Sequence, residues 1–143
     1  MCGFKYKLNH AWTKFYRRLG DEFVWESKDY LGKNFISEQK YSLYGTNIDF
    51  YIENKILKVP NYIKIDVDGI EHEILQGAKT CLSDRRLESI SIELSENYPK
   101  QYETVIKIMK EFDFKLKHKK HAEIFDNNNK FSKLYNFVFE RKI

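Results

Sequence analysis

The chain has 143 residues, 42% of them hydrophobic and 32% charged, which gives room for one ordinary core and excludes a disordered chain. No apolar run approaches the roughly 18 residues of a membrane span. Met1-Cys2-Gly3-Phe4-Lys5 also lacks the apolar stretch of a signal peptide, so the expected setting is cytoplasmic, with no membrane partner. The net charge of +4 rests on Lys far more than on Arg; Arg is the side chain that forks onto phosphates and base edges, so the excess points to solubility ahead of nucleic acid.

Residues 1–45 read as an irregular N-terminal segment with one short helix. Trp12, Phe15, Tyr16 and Leu19 share a helical face, and Gly20 would stop that helix. Residues 21–45 show no clear period. Cys2 and Cys81 lie far apart and without metal spacing, which makes them reduced bystander thiols.

Residues 46–143 are expected to form an α/β unit. Thr46 is placed to cap a helix whose face carries Ile48, Tyr51, Ile52 and Ile56, with Pro60 ending it. Tyr62-Ile63-Lys64-Ile65-Asp66-Val67 alternates as a strand does. Asp68-Gly69 is a turn, and Ile70, Ile74, Ala78 and Cys81 line one helix running to about Leu82. Ser89-Ile90-Ser91-Ile92-Glu93-Leu94 is a second alternating strand. A strand, helix and strand in this compass predict parallel neighbours joined by a crossover. Pro99 suits a first helical position, and Tyr102, Val105, Ile106 and Met109 form the stripe of a helix ending near Phe112. Phe114–His118 and Tyr135–Arg141 are a third and a fourth strand, the fourth antiparallel to its neighbours.

Open α/β sheets bind ligands outside the carboxyl ends of their strands. Two strands here end in acids, Asp66 and Glu93. By alternation Lys64 shares a face with Asp66, and Ser91 shares one with Glu93, so a parallel pair in register gathers one Lys and two acids at one sheet end. Charges in a central strand are costly unless paired. The cluster is therefore either an ion-pair network on a wet sheet face or a site. In a site, a carboxylate at a strand end is placed to act as a general base.

Three further features have simpler readings. Asp68 and Glu71 have the spacing of a capping box, Asp68 as N-cap and Glu71 three residues on. His72 falls on the outer side of its helix, where a solvated side chain is expected, and no other His stands at zinc spacing. Lys115, Lys117, Lys119 and Lys120, with His118 and His121, form a basic run. Lysines on an edge strand block edge-to-edge pairing; the other reading is a surface for an anion or nucleic acid.

The stretch from Pro60 to Ala78, with Lys64-Ile65-Asp66-Val67-Asp68-Gly69-Ile70-Glu71 and Ile74-Leu75-Gln76-Gly77-Ala78 at its heart, resembles the signature of FkbM-family methyltransferases. Ser91-Ile92-Glu93-Leu94 is similar to that family's next strand, and the likeness runs from about Thr46 to the C-terminus. The resemblance implies a partial Rossmann-like (class I methyltransferase) sheet, parallel strands with a C-terminal antiparallel hairpin, in which residues 62–67 are strand four and 89–94 strand five. It implies S-adenosylmethionine as cofactor and a hydroxyl on a sugar or natural product as methyl acceptor. Such enzymes hold the cofactor with a Gly-rich turn after strand one, but no Gly-x-Gly occurs in this chain. The expectation is therefore the C-terminal portion of a truncated or split member, with no cofactor-binding residue assigned. Asp66 first and Glu93 second are the expected base or acceptor-orienting groups, with Lys64 as counter-charge. The alternatives are a non-catalytic module binding an anionic partner or RNA, and an inactive remnant.

Overall fold

In the computed structural model, residues 12–13, 27–28, 31, 33–34, 46–67, 69–121 and 132–141 are described. In chain order the elements are β1 (Trp12–Thr13), β2 (Ser27–Lys28), α1 (Ile48–Glu53), β3 (Tyr62–Ile65), α2 (Glu71–Gln76), α3 (Lys79–Ser83), β4 (Ser89–Ser95), α4 (Pro99–Glu111), β5 (Lys115–Lys120) and β6 (Leu134–Glu140). β1 and β2 form a separate antiparallel pair. Trp12 and Thr13 are thus extended, so no helix begins at Trp12; the rest of that stripe lies outside the described residues.

The main sheet has the order β3-β4-β6-β5. β3 and β4 are parallel, with Lys64 opposite Ser91 and Ile65 opposite Ile92. β6 is antiparallel to β4 on one side and to β5 on the other, as expected of the fourth strand. The fold is a mixed α/β sheet, parallel at one end and closed by an antiparallel strand.

Alternation explains which face is covered. Ile65, Ile90, Ile92, Leu94, Phe137 and Phe139 project from one side and are buried there with Leu75, Cys81, Leu82, Val105 and Met109 from the helices. Each such aliphatic side chain contributes about 1.5–3 kcal/mol by leaving water. The opposite face carries Lys64, Ser91 and Glu93, which are at most half-buried.

Several boundaries differ from the sequence expectation. The cap of α1 is Asn47, not Thr46: its Oδ1 accepts from the Phe50 amide at 2.7 Å. α1 stops at Glu53, and Ile56 and Leu57 are exposed. The stop is a Schellman motif, with the Ile56 amide donating to the Tyr51 carbonyl at 2.8 Å and Lys55 left-handed at φ 60°. α4 ends in the same way, with Asp113 at φ 62° and the Phe114 amide donating to the Met109 carbonyl at 2.8 Å. The helix expected from Ile70 to Leu82 is two helices, α2 and α3, broken at Gly77 and Ala78. A carboxylate from elsewhere starts the second: Asp49 of α1 accepts from the Thr80 amide at 2.8 Å and the Cys81 amide at 2.9 Å. That arrangement caps α3 from a distance in sequence.

Arg141, directly after β6, locks the other end of these helices. Its buried guanidinium donates to the carbonyls of Leu82, Asp84, Leu87 and Phe112, and lies 4.3 Å over the Phe114 ring. These carbonyls belong to the ends of α3 and α4 and the turn before β4, where backbone acceptors have no partner of their own. Burial lowers the Arg141 pKa, yet its forked donors meet acceptors on several sides.

Candidate functional site

The β3 ladder ends at Ile65, so Asp66 is the first residue beyond the pairing, at the carboxyl end of the strand. Register places Glu93 one position past Ile92, which is the partner of Ile65. Asp66 accepts an ion pair from Lys64 at 2.8 Å. The Lys64 ammonium is held above its ordinary value, first by its hydrogen bond to Asp66, then by that carboxylate's charge, with Glu93 adding to it. Lys64, Asp66 and Glu93 therefore gather on one face at one sheet end. The Lys64 and Asp66 side chains are 64% and 40% exposed, so their pair is a weak tether in water.

The loop behind Asp66 is held from below. Glu71 is the first residue of α2 and is buried. Its Oε1 accepts from the Val67 amide at 3.1 Å and the Gly69 amide at 3.2 Å, and its Oε2 accepts from the Gly69 amide at 3.0 Å. Gln101, buried in the first turn of α4, donates its Nε2 to the same Oε2. Gly69 sits at φ 109°, a conformation that a side chain would oppose.

These contacts correct the capping-box expectation in part. Asp68 lies outside the described residues, and α2 has Ile70 at its N-cap with no side-chain cap bond. Glu71 bonds amides of the preceding loop, together with a side chain from another helix. His72 is likewise not solvated: it is 6% exposed, packed edge-on to Tyr98 at 5.9 Å between ring centres and 3.7 Å from Glu73. α4 packs against α2, with Tyr98 at its N-cap lying against the His72 ring, and that packing buries this side of α2.

The basic run occupies β5, the edge strand of the sheet, where a register shift lies between Leu116 and His118. Lys117 pairs with Glu140 at 2.6 Å, and Lys119 pairs with Glu96 at 2.5 Å while lying 3.6 Å over the Tyr135 ring. A charged, irregular edge of this kind resists pairing with another chain. Among the described residues, no three His, Cys, Asp or Glu side chains converge as a metal site requires.

A parallel strand pair ending in acids, with a Gly-containing turn leading straight into a helix, is the part of the chain where the resemblance was densest. The Methyltransferase FkbM domain matches residues 12–116. The chain belongs to that family. The FkbM match begins well upstream of Thr46 and stops inside β5, so it takes in β1 and β2 as well as the β3–β4 pair. No curated protein and no solved structure matches the chain significantly.

Gln101 lies off the stripe that the sequence predicts for α4. That stripe runs through Tyr102, Val105, Ile106 and Met109. The buried positions are in fact Gln101, Val105 and Met109, four residues apart. A lone amide in step with a buried apolar row was the available signal. The capping-box spacing of Glu71 gives no sign of its burial.

Proposed function

We propose that this FkbM-family chain serves S-adenosylmethionine-dependent methyl transfer to a hydroxyl group of a sugar or other natural product. In this reading β3 and β4 are strands four and five of a Rossmann-like sheet, and the acceptor lies over their carboxyl ends. The observation that carries it is the gathering of Lys64, Asp66 and Glu93 on one face at those ends, within a domain of a methyltransferase family.

S-adenosylmethionine supplies an electrophilic methyl group when bound. The described residues contain no strand, Gly-rich turn and helix that would cradle it, and the glycines of the chain stand singly, so no residue is assigned to hold it. The roles of this chain's own groups concern the acceptor. Asp66 takes the proton from the acceptor hydroxyl, and Glu93 orients that hydroxyl or replaces Asp66 as base. Lys64 balances the negative charge and limits repulsion between the two acids. An alternative use of the basic run for an anionic partner or RNA is ranked second, because Lys117 and Lys119 already face carboxylates.

The test is transfer of labelled methyl from S-adenosylmethionine to a panel of polyhydroxylated acceptors, with calorimetric binding of the donor measured alongside. Asp66→Asn is expected to lower transfer by about 10²–10⁴-fold with donor binding unchanged. Transfer by Asp66→Asn and Glu93→Gln at the wild-type rate would remove both acids from the reaction. Failure of the wild-type protein to bind the donor or transfer methyl would remove the proposal itself.

A further inference from the structure

Glu71 and Gln101 are 1% and 2% exposed and stand thirty positions apart in the chain. A buried carboxylate is costly unless several donors meet it. Here the donors are the Val67 amide, the Gly69 amide and the Gln101 side chain. The Val67 amide is the peptide that joins Asp66 to Val67, so Glu71 grips the backbone of Asp66 itself. On its other side Asp66 adjoins Ile65, which is fixed by its register with Ile92. The side-chain pair with Lys64 is too exposed to position the carboxylate alone. What fixes Asp66 is therefore the backbone, held by the ladder before it and by Glu71 after it.

Gln101 completes the arrangement. It occupies a place in a helix row otherwise filled by Val105 and Met109, where an apolar side chain would be buried at lower cost. Its amide donates to Glu71 and fixes which way that carboxylate faces.

We propose that Glu71 and Gln101 form a buried clamp that positions Asp66 for proton abstraction, Gln101 acting through Glu71 as a positioning residue for the reaction. The purpose of the clamp rests on the reading of Asp66 as the base; its mechanics do not.

The test uses the full chain with Gln101→Leu and Glu71→Gln. Amide hydrogen exchange is read at Val67 and Gly69 against Ile92 in the core. The titration of Lys64 is followed by its ¹³Cε shift, and kcat and donor KM are measured for labelled methyl transfer. Exchange at Val67 and Gly69 should accelerate by about tenfold or more while Ile92 is unchanged. The Lys64 midpoint should fall back towards its ordinary 10.5 as Asp66 leaves it. kcat should drop with donor KM unaltered. If Gln101→Leu does not fold, the near-isosteric Glu71→Gln carries the measurement. Unchanged exchange together with an unchanged Lys64 midpoint overturns the clamp, whatever the activity. Loosened amides with an unchanged kcat overturn the positioning role. Loosened amides together with a fully active Asp66→Asn overturn the base assignment while leaving the clamp's mechanics standing.

Discussion

Arg141→Met separates a fold held by packing alone from one held by a buried cation at its helix ends. Met keeps much of the apolar stem over Phe114 and removes every donor. The carbonyls of Leu82, Asp84, Leu87 and Phe112 then lose their partner where water has little access. At about 1 kcal/mol for each of these four acceptors the loss is ~4 kcal/mol, in line with the roughly 3–5 kcal/mol seen when one side of a buried charged contact is removed. With an urea m-value of about 2 kcal/mol/M, the midpoint should move down by ~2 M. That is a large part of the 5–15 kcal/mol that holds a typical domain together. Arg141→Lys keeps the charge but not the fork, and should recover only part of the loss. Urea unfolding followed by circular dichroism reads both variants. A change below about 1 kcal/mol for Arg141→Met, or a lysine variant equal to wild type, would refute the reasoning.

Other outcomes follow from the same contacts. Cys81 is fully buried, and burial pushes its thiol up from an ordinary 9.0 to about 11. In a Cys2→Ser background it should resist a thiol reagent until the protein unfolds; labelling at the native rate of an exposed thiol would contradict its burial. Because the native state holds that proton more tightly than the unfolded chain, its contribution is complete below about pH 9 and is lost as pH rises towards 11. Cys81→Ala should accordingly flatten the alkaline limb of the stability curve. The side chain of Arg86, then its backbone amide, hold the Asp84 carboxyl down at about 2 against an ordinary 3.8. Its contribution is therefore complete above about pH 4 and fades as pH falls towards 2. The stability difference between wild type and Asp84→Asn should shrink over that interval, and a constant difference would count against the pair. Lys55→Gly relieves a left-handed lysine and should stabilise by about 0.5–1 kcal/mol in thermal unfolding; a loss of stability would mean that the lysine side chain does more than the turn shows.

The strands of the main sheet were legible because alternation is a local property; β1 and β2, where no strand was expected, were not. Ile63 and Ile65 against Lys64 and Asp66, and Ile90, Ile92 and Leu94 against Ser91 and Glu93, fix both the elements and their faces. The ends of α4 were legible from Pro99 and from the stripe that stops before Phe112, but the end of α1 and the break between α2 and α3 were not. Lys55 and Asp113 take the left-handed position themselves, and the start of α3 is capped by Asp49 from α1. The gathering of Lys64, Asp66 and Glu93 followed from alternation plus a parallel register. The clamp behind Asp66 did not, since it depends on α4 crossing α2, and nothing within ten residues of Glu71 indicates that crossing.

Among the described residues, the buried Glu71 and Arg141 stand at opposite ends of the helical layer, Glu71 at the first turn of α2 and Arg141 at the last turns of α3 and α4, and the connectivity explains why. A crossover between parallel strands begins its helical stretch at the carboxyl ends of the strands and finishes it at their amino ends, here through α2 and α3 in one case and α4 in the other. Helix amino ends favour negative charge and helix carboxyl ends favour positive charge. Glu71 lies in the first turn of α2 with Gln101 in the first turn of α4, while Arg141 meets carbonyls at the last turns of α3 and α4. The two locks differ in reach. Arg141 joins α3, α4 and the turn before β4, so its loss should be felt in every probe of unfolding. Glu71 and Gln101 hold one short loop beside the acids, so their loss should loosen that loop first and leave the rest of the sheet in place. The contacts thus tie the amino ends of α2 and α4 through Glu71 and Gln101, and the carboxyl ends of α3 and α4 through Arg141.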